Sequence, residues 1–311
     1  MKTYQALYQI LSQADDYVSG EILAQQLNLS RTSIWKAIQR LEKEGLVIDS
    51  IKNRGYKILR GDLLLSNEIE ELAPINVMLN PQCQSTQLDA KRGLEAGGKA
   101  NTLYLAPYQE AGRGRFGRAY FCPEQGGIYM SLHLKPQLPF DQLPSYTLLT
   151  AASIYKAIKD LTLIETDIKW VNDIYFKGKK IGGILTEAIS SVETGLVTDL
   201  IIGVGINFSI TTFPAELQDK AGSLFDNHPP ITRNELIGEI WKNLYTLDPD
   251  ELLYLYRQRS FVLGRQVTFL QNNQPYTGLA KAISDKGQLL VELTDGQEIW
   301  LNSGEISLKN W

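Results

Sequence analysis

Residues 169–185 read KWVNDIYFKGKKIGGIL, in which two apolar runs flank the polar turn YFKGK. Short apolar runs on either side of a glycine-containing turn are typical of two neighbouring strands. The pairing predicts that Lys169, Asp173 and Lys180 lie near the same end of one sheet. The central part of the fold is expected to extend outward from this pair of strands.

Strand and helix signals alternate on both sides of this segment, from residue 67 to residue 262. The runs typical of strands are TLYLAP, GIYMSLHL, DIKWV, KIGGILTEAI and LIIGVGINF. SYTLLTAASIYKAIKD carries apolar residues at helical spacing, and Thr232 with Glu235 forms a T-x-x-E capping box before a later helix. Residues 67–262 are therefore predicted to form a central mixed sheet with helices.

The character of the chain changes after residue 262. The short runs RQVTFL, PYTGLAKAI, QLLVEL, EIWL and EISL are separated by NNQP, DKG, TDG and NSG. Turn signals at such regular spacing indicate a small β-barrel or sandwich. Residues 263–311 are predicted to form a small β-barrel, so the whole chain belongs to the α+β class.

Residues 1–62 show three apolar stripes at helical spacing, followed by LVIDSI, KNRG and YKIL. These last segments read as a strand, a turn and a strand. Ser30 stands where it can cap the third helix, and Gly45 where it can end that helix. The pattern predicts a winged helix-turn-helix.

Charge is distributed unevenly over the chain. The total of 31 Lys and Arg against 35 Asp and Glu gives −4, which by itself argues against a nucleic-acid partner, yet residues 31–60 hold eight basic and three acidic residues. Such a local excess suits phosphate and base-edge contacts in a major groove. The alternative is a three-helix protein-interaction bundle with a solvated basic face. The expected DNA-binding residues are Arg31, Thr32, Ser33, Lys36, Arg40, Lys52 and Arg54.

Composition excludes several classes of protein. Cys83 and Cys122 are the only cysteines, which rules out a disulfide framework and suits a reducing compartment, and the two histidines leave no zinc cluster. The motif G-x-S-x-G is absent, so nucleophilic hydrolysis has no support. No apolar segment suits export or a bilayer span, so we expect a cytoplasmic protein without a membrane partner.

The densest motif is GRGRFGR at residues 112–118. It satisfies G-x-G-x-x-G, but YFCP follows it instead of a helix, and a P-loop would need Lys-Ser or Lys-Thr, so neither nucleotide-binding loop is expected. Three guanidinium groups on a glycine-rich loop can hold a carboxylate and phosphates together. An exposed basic turn without a ligand is the alternative.

The strand pair of residues 169–185 offers further cations. Attack of a carboxylate on a nucleotide α-phosphate brings two anions together, so fixed positive charges should carry much of the rate. Lys180 is the first candidate for that role. Asp173 could bind Mg²⁺ or orient the nucleotide. An ordinary charged hairpin at Lys179 and Lys180 is the alternative.

Together these segments resemble the biotin protein ligase family, in particular its bifunctional form. The match covers nearly the whole chain, and its order is specific: the winged helix, Ser85-Thr86-Gln87, Gln109, GRGRFGR, KWVND at 169–173, KKIGG at 179–183, GVGIN at 203–207 and GEISL at 304–308.

The resemblance implies an enzyme that joins biotin and ATP, with Mg²⁺, into biotinyl-AMP and transfers biotin to a lysine of a biotin carboxyl carrier domain. It also implies a homodimer, formed on ligand binding, that represses biotin genes at operator DNA with biotinyl-AMP as corepressor. Two alternatives stay open: a non-catalytic regulator that senses biotin or its adenylate, and lipoate ligation by a related fold.

The resemblance also assigns roles to residues, with catalysis falling to Lys180, Arg115 and Arg118. The biotin-binding positions are Ser85, Thr86, Gln87, Gln109, Arg113, Gly114, Arg115, Lys180, Gly183 and Gly205. The nucleotide-binding positions are Arg118, Lys169, Asn172, Asp173 and Asn207. Gln87, Val171 and Phe116 depart from residues common in the family, which are Asn, Pro and Arg.

Overall fold

The N-terminal module is a three-helix unit followed by a two-stranded wing, which confirms the predicted winged helix-turn-helix. Ser30 caps the third helix, since the Ser33 backbone N–H donates to its Oγ at 3.1 Å, and Gly45 follows the helix with φ of +95°. The elements are α1 Thr3–Ser12, α2 Gly20–Leu27, α3 Arg31–Lys43, β1 Val47–Ile51 and β2 Gly55–Arg60.

This computed structural model describes residues 2–226, 228–271, 274–302, 304 and 306–308. Glu305 of the GEISL motif lies outside the described residues.

The core of the module is formed mainly by the stripes that the sequence predicts. Leu7 and Leu11 of α1, Leu23 of α2 and Leu41 of α3 are almost fully buried. Ile22 and Leu23 both belong to the second predicted stripe, yet Ile22 is 47% exposed while Leu23 is 0% exposed. Adjacent positions of a helix lie about 100° apart around its axis, so one can face the core while the next reaches solvent.

The central domain is built on a mixed sheet, as predicted. Its strand order is β3-β4-β5-β10-β9-β8-β7, with β6 paired to the start of β10, and among the described strands of this sheet only β3 and β4 run parallel. The strands are β3 Asn76–Leu79, β4 Thr102–Ala106, β5 Gly127–Leu134, β6 Leu138–Pro139, β7 Asp167–Lys169, β8 Asp173–Phe176, β9 Lys179–Ser190 and β10 Leu196–Asn207.

Helices cover the two faces of this sheet unequally. α6 and α7 pack together over a face rich in buried Ile, Leu and Val, while α5 lies on the opposite face over β4, β5 and β10. The Thr232–Glu235 capping box is present at the start of α7. The helices are α4 Ser66–Leu72, α5 Thr86–Glu95, α6 Tyr146–Thr162, α7 Arg233–Thr246 and α8 Pro249–Arg259.

The C-terminal domain is an antiparallel sheet of five strands in the order β14-β13-β12-β11-β15. Its buried side chains belong to the same hydrophobic core as those of the central domain. Trp170 links the two domains directly, because its indole N–H donates to the Gly287 carbonyl at 2.9 Å. The strands are β11 Gln266–Gln271, β12 Gln274–Ile283, β13 Leu289–Leu293, β14 Glu298–Leu301 and β15 Ile306–Leu308.

One prediction about the strands needs correction. The predicted strand DIKWV is too long, because β7 ends at Lys169, residues 170–172 form a turn, and β8 begins at Asp173. Two strands that pair through such a tight turn keep Lys169 directly opposite Asp173. No sequence signal predicted the short elements α4, β3 and β6, and α5 was not placed either.

The domain limits at residues 62, 67 and 262 stay predictions. In the part of the chain that the structure describes, no helix is both long enough and apolar enough to span a bilayer.

The burial difference between neighbours in α2 gives a direct test. Replacing Leu23 by Ala should destabilise the winged helix by about 2–5 kcal/mol, because a buried side chain is removed and a cavity remains. Ile22→Ala, which removes a half-exposed side chain of similar size, should cost far less. Native-state hydrogen exchange of the α3 amides measures both. Equal losses in the two variants would contradict the burial of Leu23.

Candidate active site

The floor of the candidate site is one face of the central sheet. Because side chains alternate along a strand, Gly203 and Gly205 of β10 share a face with Ser131 of β5, which pairs with Gly203. A Cβ on Gly203 would lie 2.5 Å from Oε1 of Gln87, and one on Gly205 would lie 2.6 Å from the ring of Tyr120. The glycines of GVGIN therefore leave room for these side chains to rest on the sheet.

An extra residue in β9 brings Lys180 onto this face. β8 and β9 pair Asp173 with Gly183 and Ile174 with Gly182, but Tyr175 then pairs with Lys180, so Ile181 has no partner. A bulge of this kind reverses the alternation of side chains beyond it. Lys180 and Gly183 consequently face the same side, and Lys180 Nζ lies 2.6 Å from Asp173 Oδ1.

Gly183 lies beside this ion pair. A Cβ at that position would lie 3.4 Å from both Asp173 Oδ1 and Lys180 Nζ, in contact with each. Lys180 is also tied by its backbone, since its N–H donates to the Lys220 carbonyl at 2.9 Å.

The start of α5 forms a second wall, and a chain of hydrogen bonds fixes it. Gln109 Oε1 accepts from the Thr86 backbone N–H at 2.7 Å, and the Thr86 and Ser131 hydroxyls lie 2.9 Å apart. Ser131 donates to Gln87 Oε1 at 2.9 Å, and Gln87 donates to Glu187 at 2.8 Å. Gln87, where Asn is common in the family, thus spans the distance from Ser131 to Glu187.

The GRGRFGR segment folds back on itself above the floor. Gly114 N–H donates to the Arg118 carbonyl at 2.8 Å, and Tyr120 N–H donates to the Gly112 carbonyl at 3.0 Å. The segment contains one short 3₁₀ turn, Arg115–Gly117, and no α-helix begins here, as the sequence predicts. Phe116 sits at the tip with φ of +56°, is 68% exposed, and lies under the Arg115 guanidinium, whose carbon is 5.1 Å from the ring centroid.

Arg115 connects this loop to two other parts of the structure. Its Nη1 donates to Asn172 Oδ1 at 3.1 Å and to the Gly304 carbonyl at 3.4 Å, so the C-terminal domain contributes to the site. Asn172 is itself held by β9, because its Nδ2 donates to the Ile184 carbonyl at 2.9 Å.

These walls enclose a cavity of about 540 Å³. Among the described residues that line it, six carry Lys or Arg side chains and Asp173 is the only carboxylate. With little negative charge to balance these cations, the cavity suits an anionic ligand. The six cationic residues are Arg113, Arg115, Arg118, Lys169, Lys180 and Lys220.

The structure brings together almost all of the enzyme residues that the sequence singled out. Every predicted biotin-binding residue and every predicted nucleotide-binding residue lines this one cavity, with the exception of Asn207. Asn207 is buried at the end of β10, where its Nδ2 donates to the Gly222 carbonyl at 2.9 Å. It fixes the segment after β10 instead of facing the cavity.

Several lining residues were missed by the sequence reasoning. Ser131 stands opposite Gly203 of the GVGIN motif and could have been found only from the strand register. Leu217 and Lys220 come from the irregular segment after β10, for which neither periodicity nor a motif gives a signal.

The tyrosines and the cysteine near the cavity are held in their neutral forms. Burial, with a smaller contribution from the charge of Asp173, raises the pKa of Tyr120 and brings that of Tyr175 to about 12. Burial also raises the pKa of Cys122 to about 11, and the hydrogen bond from Gln109 opposes this only in part. These groups therefore add no negative charge near neutral pH.

The candidate DNA surface lies on the winged helix. Arg31, Thr32, Lys36, Arg40, Lys52 and Arg54 are exposed and Ser33 is partly exposed. Arg31 pairs with Glu21 at 2.9 Å, Arg54 pairs with Asp16 at 3.0 Å, and Arg40 pairs with Glu44. Exposed pairs contribute little to stability, so phosphates can readily replace these carboxylates. Trp35, on the same helix, is 50% exposed.

Models of three protein families match the chain in order. They are an HTH domain at residues 4–57, the biotin/lipoate A/B protein ligase family at residues 81–207, and the biotin protein ligase C-terminal domain at residues 262–309. Among whole proteins, the bifunctional ligase/repressor BirA of Bacillus subtilis (strain 168) is 33% identical over 307 residues, which cover 93% of this chain and 94% of that protein. The chain belongs to the bifunctional biotin ligase/repressor family.

Further relatives agree with this membership. The bifunctional ligase/repressor BirA of Escherichia coli (strain K12) is 27% identical over 308 residues, covering 95% of this chain and 94% of that protein. The structure of the biotin protein ligase from Aquifex aeolicus in complex with biotin and ATP has a TM-score of 0.62 and 29% identity, covering 75% of this chain and 98% of that chain. The resemblance inferred from the sequence motifs is thus confirmed, as is the fold class.

The raised pKa of Cys122 predicts slow alkylation of this thiol. In the folded protein its rate with iodoacetamide at pH 8.5 should be about a hundredfold or more below that of an ordinary thiol, because the reactive thiolate is scarce. The rate should rise as the pH approaches 11. Mass spectrometry of the Cys122 peptide, with urea-denatured protein as the control, measures this. Equal rates in the folded and denatured protein would contradict the assigned burial.

Proposed function

We propose that the chain activates biotin with ATP, transfers it to a carrier protein, and represses transcription from operator DNA. The observation that carries the enzymatic half is the cationic cavity, in which Lys180 is paired to Asp173 on a glycine floor. Membership of the ligase/repressor family supports both halves.

In the first step a biotin carboxylate oxygen attacks the α-phosphorus of ATP, forming biotinyl-AMP as pyrophosphate leaves. Both reactants are anions, and negative charge accumulates on the α-phosphate oxygens. Fixed cations stabilise that charge more than water would, because they are already in place. The stabilising charges come from Lys180, Arg115 and Arg118. The nucleotide is held by Lys169 and Asn172, which line the same cavity.

The polar chain on the floor of the cavity provides the complementary part of the site. Ser131, Thr86 and Gln87 are held in one hydrogen-bonded row beside the start of α5, which suits the polar ring of biotin. Arg113 and Gly114 cover the cavity from the loop. In this arrangement the carboxylate of biotin points toward Lys180.

Mg²⁺ fits this site as a companion of the nucleotide. Within the described part of the chain, no cluster of three or more His, Cys, Asp or Glu side chains could hold a metal ion. Asp173 is a hard oxygen donor among cations, and Mg²⁺ is commonly held by one carboxylate together with phosphates and water. Mg²⁺ would neutralise phosphate charge, while Asp173 also keeps Lys180 in place.

In the second step the amine of a carrier lysine attacks the biotinyl carbonyl carbon, and AMP leaves with the former biotin oxygen on its phosphate. A mixed anhydride of this kind reacts with water unless it is shielded. The folded loop of residues 112–118 covers the cavity, and its closure over the adenylate would exclude water.

For the repressor half, the basic face of α3 would enter a major groove while the wing contacts the backbone. A homodimer formed on ligand binding would present two such faces to a two-fold operator. The adenylate would then act as corepressor, because dimerisation links the ligand to DNA affinity.

The neighbouring lysines of β9 test the enzymatic proposal. Lys180→Ala should lower the rate of biotinyl-AMP formation by about a hundredfold or more, because a fixed charge on the developing anion is lost. Lys179→Ala is the matched control, since the Lys179 ammonium donates to the Gln218 carbonyl at 2.7 Å instead and Lys179 does not line the cavity. Pyrophosphate release and transfer of labelled biotin to a carrier domain measure the two steps.

If the wild-type protein transfers no labelled biotin to the carrier, the enzymatic half of the proposal is wrong. The alternative is then a regulator that binds its ligand without catalysis. A normal rate for Lys180→Ala would leave the enzyme but remove this assignment. Lipoate offered in place of biotin should give no labelled carrier.

The recognition helix tests the repressor proposal. Lys36→Ala should weaken DNA binding and reduce the slope of log K against log salt by about one, because one phosphate contact is lost. Lys242→Ala, on α7 and paired with Glu239 at 3.0 Å, is the control and should bind like the wild type. Fluorescence anisotropy in the presence of biotin and ATP, across a salt series, measures both. Operator binding that survives deletion of residues 2–62 would refute the DNA assignment.

A further inference from the structure

The segment that joins the winged helix to the central domain is buried and is held by hydrogen bonds. Leu63 and Leu65 belong to the core of the N-terminal module, while Leu64 between them belongs to the core of the central domain. The sequence predicts only a short join here. Because alternate side chains are embedded in two different cores, the segment cannot swivel without exposing apolar surface.

Arg233, the first residue of α7, binds the start of this segment through an ion pair and hydrogen bonds. Its Nε donates to Asp62 Oδ1 at 2.6 Å, its Nη2 donates to the Asp62 carbonyl at 2.9 Å, and its backbone N–H donates to the same carboxylate. Arg233 is only 7% exposed. A buried ion pair of this kind is costly to break, because the remaining charge is left without a partner.

Asn234, the next residue, grips the end of the segment. Its Oδ1 accepts from the Leu65 backbone N–H at 3.1 Å, and its Nδ2 donates to the Leu63 carbonyl at 3.0 Å and to Glu68 at 2.7 Å. Asn234 is 1% exposed. Arg233 and Asn234 both lie in the first turn of α7, which is stabilised by its capping box. Their hydrogen bonds therefore hold residues 62–65 against a fixed helix end.

A second contact supports the winged helix close to the end of α3. A Cβ on Gly45 would lie 3.1 Å from Cγ of Gln125, so the backbone after α3 packs directly on the Gln125 side chain. Arg233 reaches the same region, since its Nη1 donates to the carbonyl of Gly127, the first residue of β5, at 3.2 Å. The module is therefore held at two places, and Arg233 also bonds to the chain two residues after Gln125.

We infer that Arg233 and Asn234 are positioning residues for DNA binding. By gripping residues 62–65 they fix the direction of α3 relative to the ligase core, so that the homodimer accepts operator half-sites at one spacing only. The inference rests on the proposed repressor function and its dimer. The two recognition helices of a dimer enter grooves that lie a set distance apart. If the join is rigid, only operators whose half-sites have that spacing can contact both helices. A swivelling join would tolerate several spacings.

The test uses the full chain and Arg233→Lys, which keeps the charge but loses the forked donors. Arg259→Lys is the matched control, because Arg259 makes comparable contacts to Glu165, Thr166 and Asp167 away from the join. A two-fold site is first selected from random duplexes by the wild-type protein with biotin and ATP, and its spacer is then changed one base pair at a time.

Wild type and Arg259→Lys should lose about tenfold or more in affinity when the spacer changes by two base pairs, because one recognition helix no longer meets its bases. Arg233→Lys should lose less than about threefold over the same series, and its best affinity should be lower. Asn234→Ser, which removes bonds without removing a charge, should flatten the profile in the same direction and serves if Arg233→Lys does not fold.

A second measurement needs no DNA. Spin labels at Gln39→Cys, on the exposed side of α3, and at Val192→Cys, in the fully exposed turn after β9, report the direction of the module. The distance distribution should be narrow in the wild-type background and in Arg259→Lys, and broad in Arg233→Lys.

An unchanged spacing profile in both gripping variants overturns the inference, and so does an unchanged distance distribution. If the distance distribution broadens while the dependence of affinity on spacer length is unchanged, Arg233 and Asn234 have only a structural role and the inference is wrong. If the wild-type protein with both ligands selects no duplex, the repressor function itself has failed, whatever the distances show, and the inference falls with it.

Discussion

The ion pair between Lys180 and Asp173 is the contact around which the candidate site is arranged. It exists because one unpaired residue, Ile181, reverses the alternation of β9 and so places Lys180 on the same face as Asp173. In a regular strand, Lys180 would point to the other face of the sheet. The positive charge at the centre of the cavity thus depends on a backbone irregularity as much as on the lysine itself.

Local signals made much of the fold predictable. Ser30 and the Thr232–Glu235 box were found because capping depends on residues three positions apart. The GIYMSLHL run corresponds to the whole of β5, since both faces of that strand are buried. The winged helix was found because its stripes, turn and charge excess all lie within 60 residues.

The features that sequence reasoning missed depend on distant parts of the chain. Lys220 lines the cavity because its carbonyl accepts a hydrogen bond from Lys180, forty positions earlier. Gln87 bridges Ser131 and Glu187, which only the strand order brings together. DIKWV was predicted as one strand, yet Trp170 lies in the turn after β7 and donates to Gly287 in another domain. The family motifs identified these segments, but they carried no information about such contacts.

The shared core of the central and C-terminal domains has a consequence for cooperativity. The chain has three units by sequence, but only two separate hydrophobic cores of any size, and the larger one runs from Leu64 to Ile306 among the described residues. Residues that bury one another's apolar surface lose their stability together. The enzyme and its C-terminal sheet therefore form a single folding unit, and removing that sheet would expose part of the core that it shares with the catalytic domain.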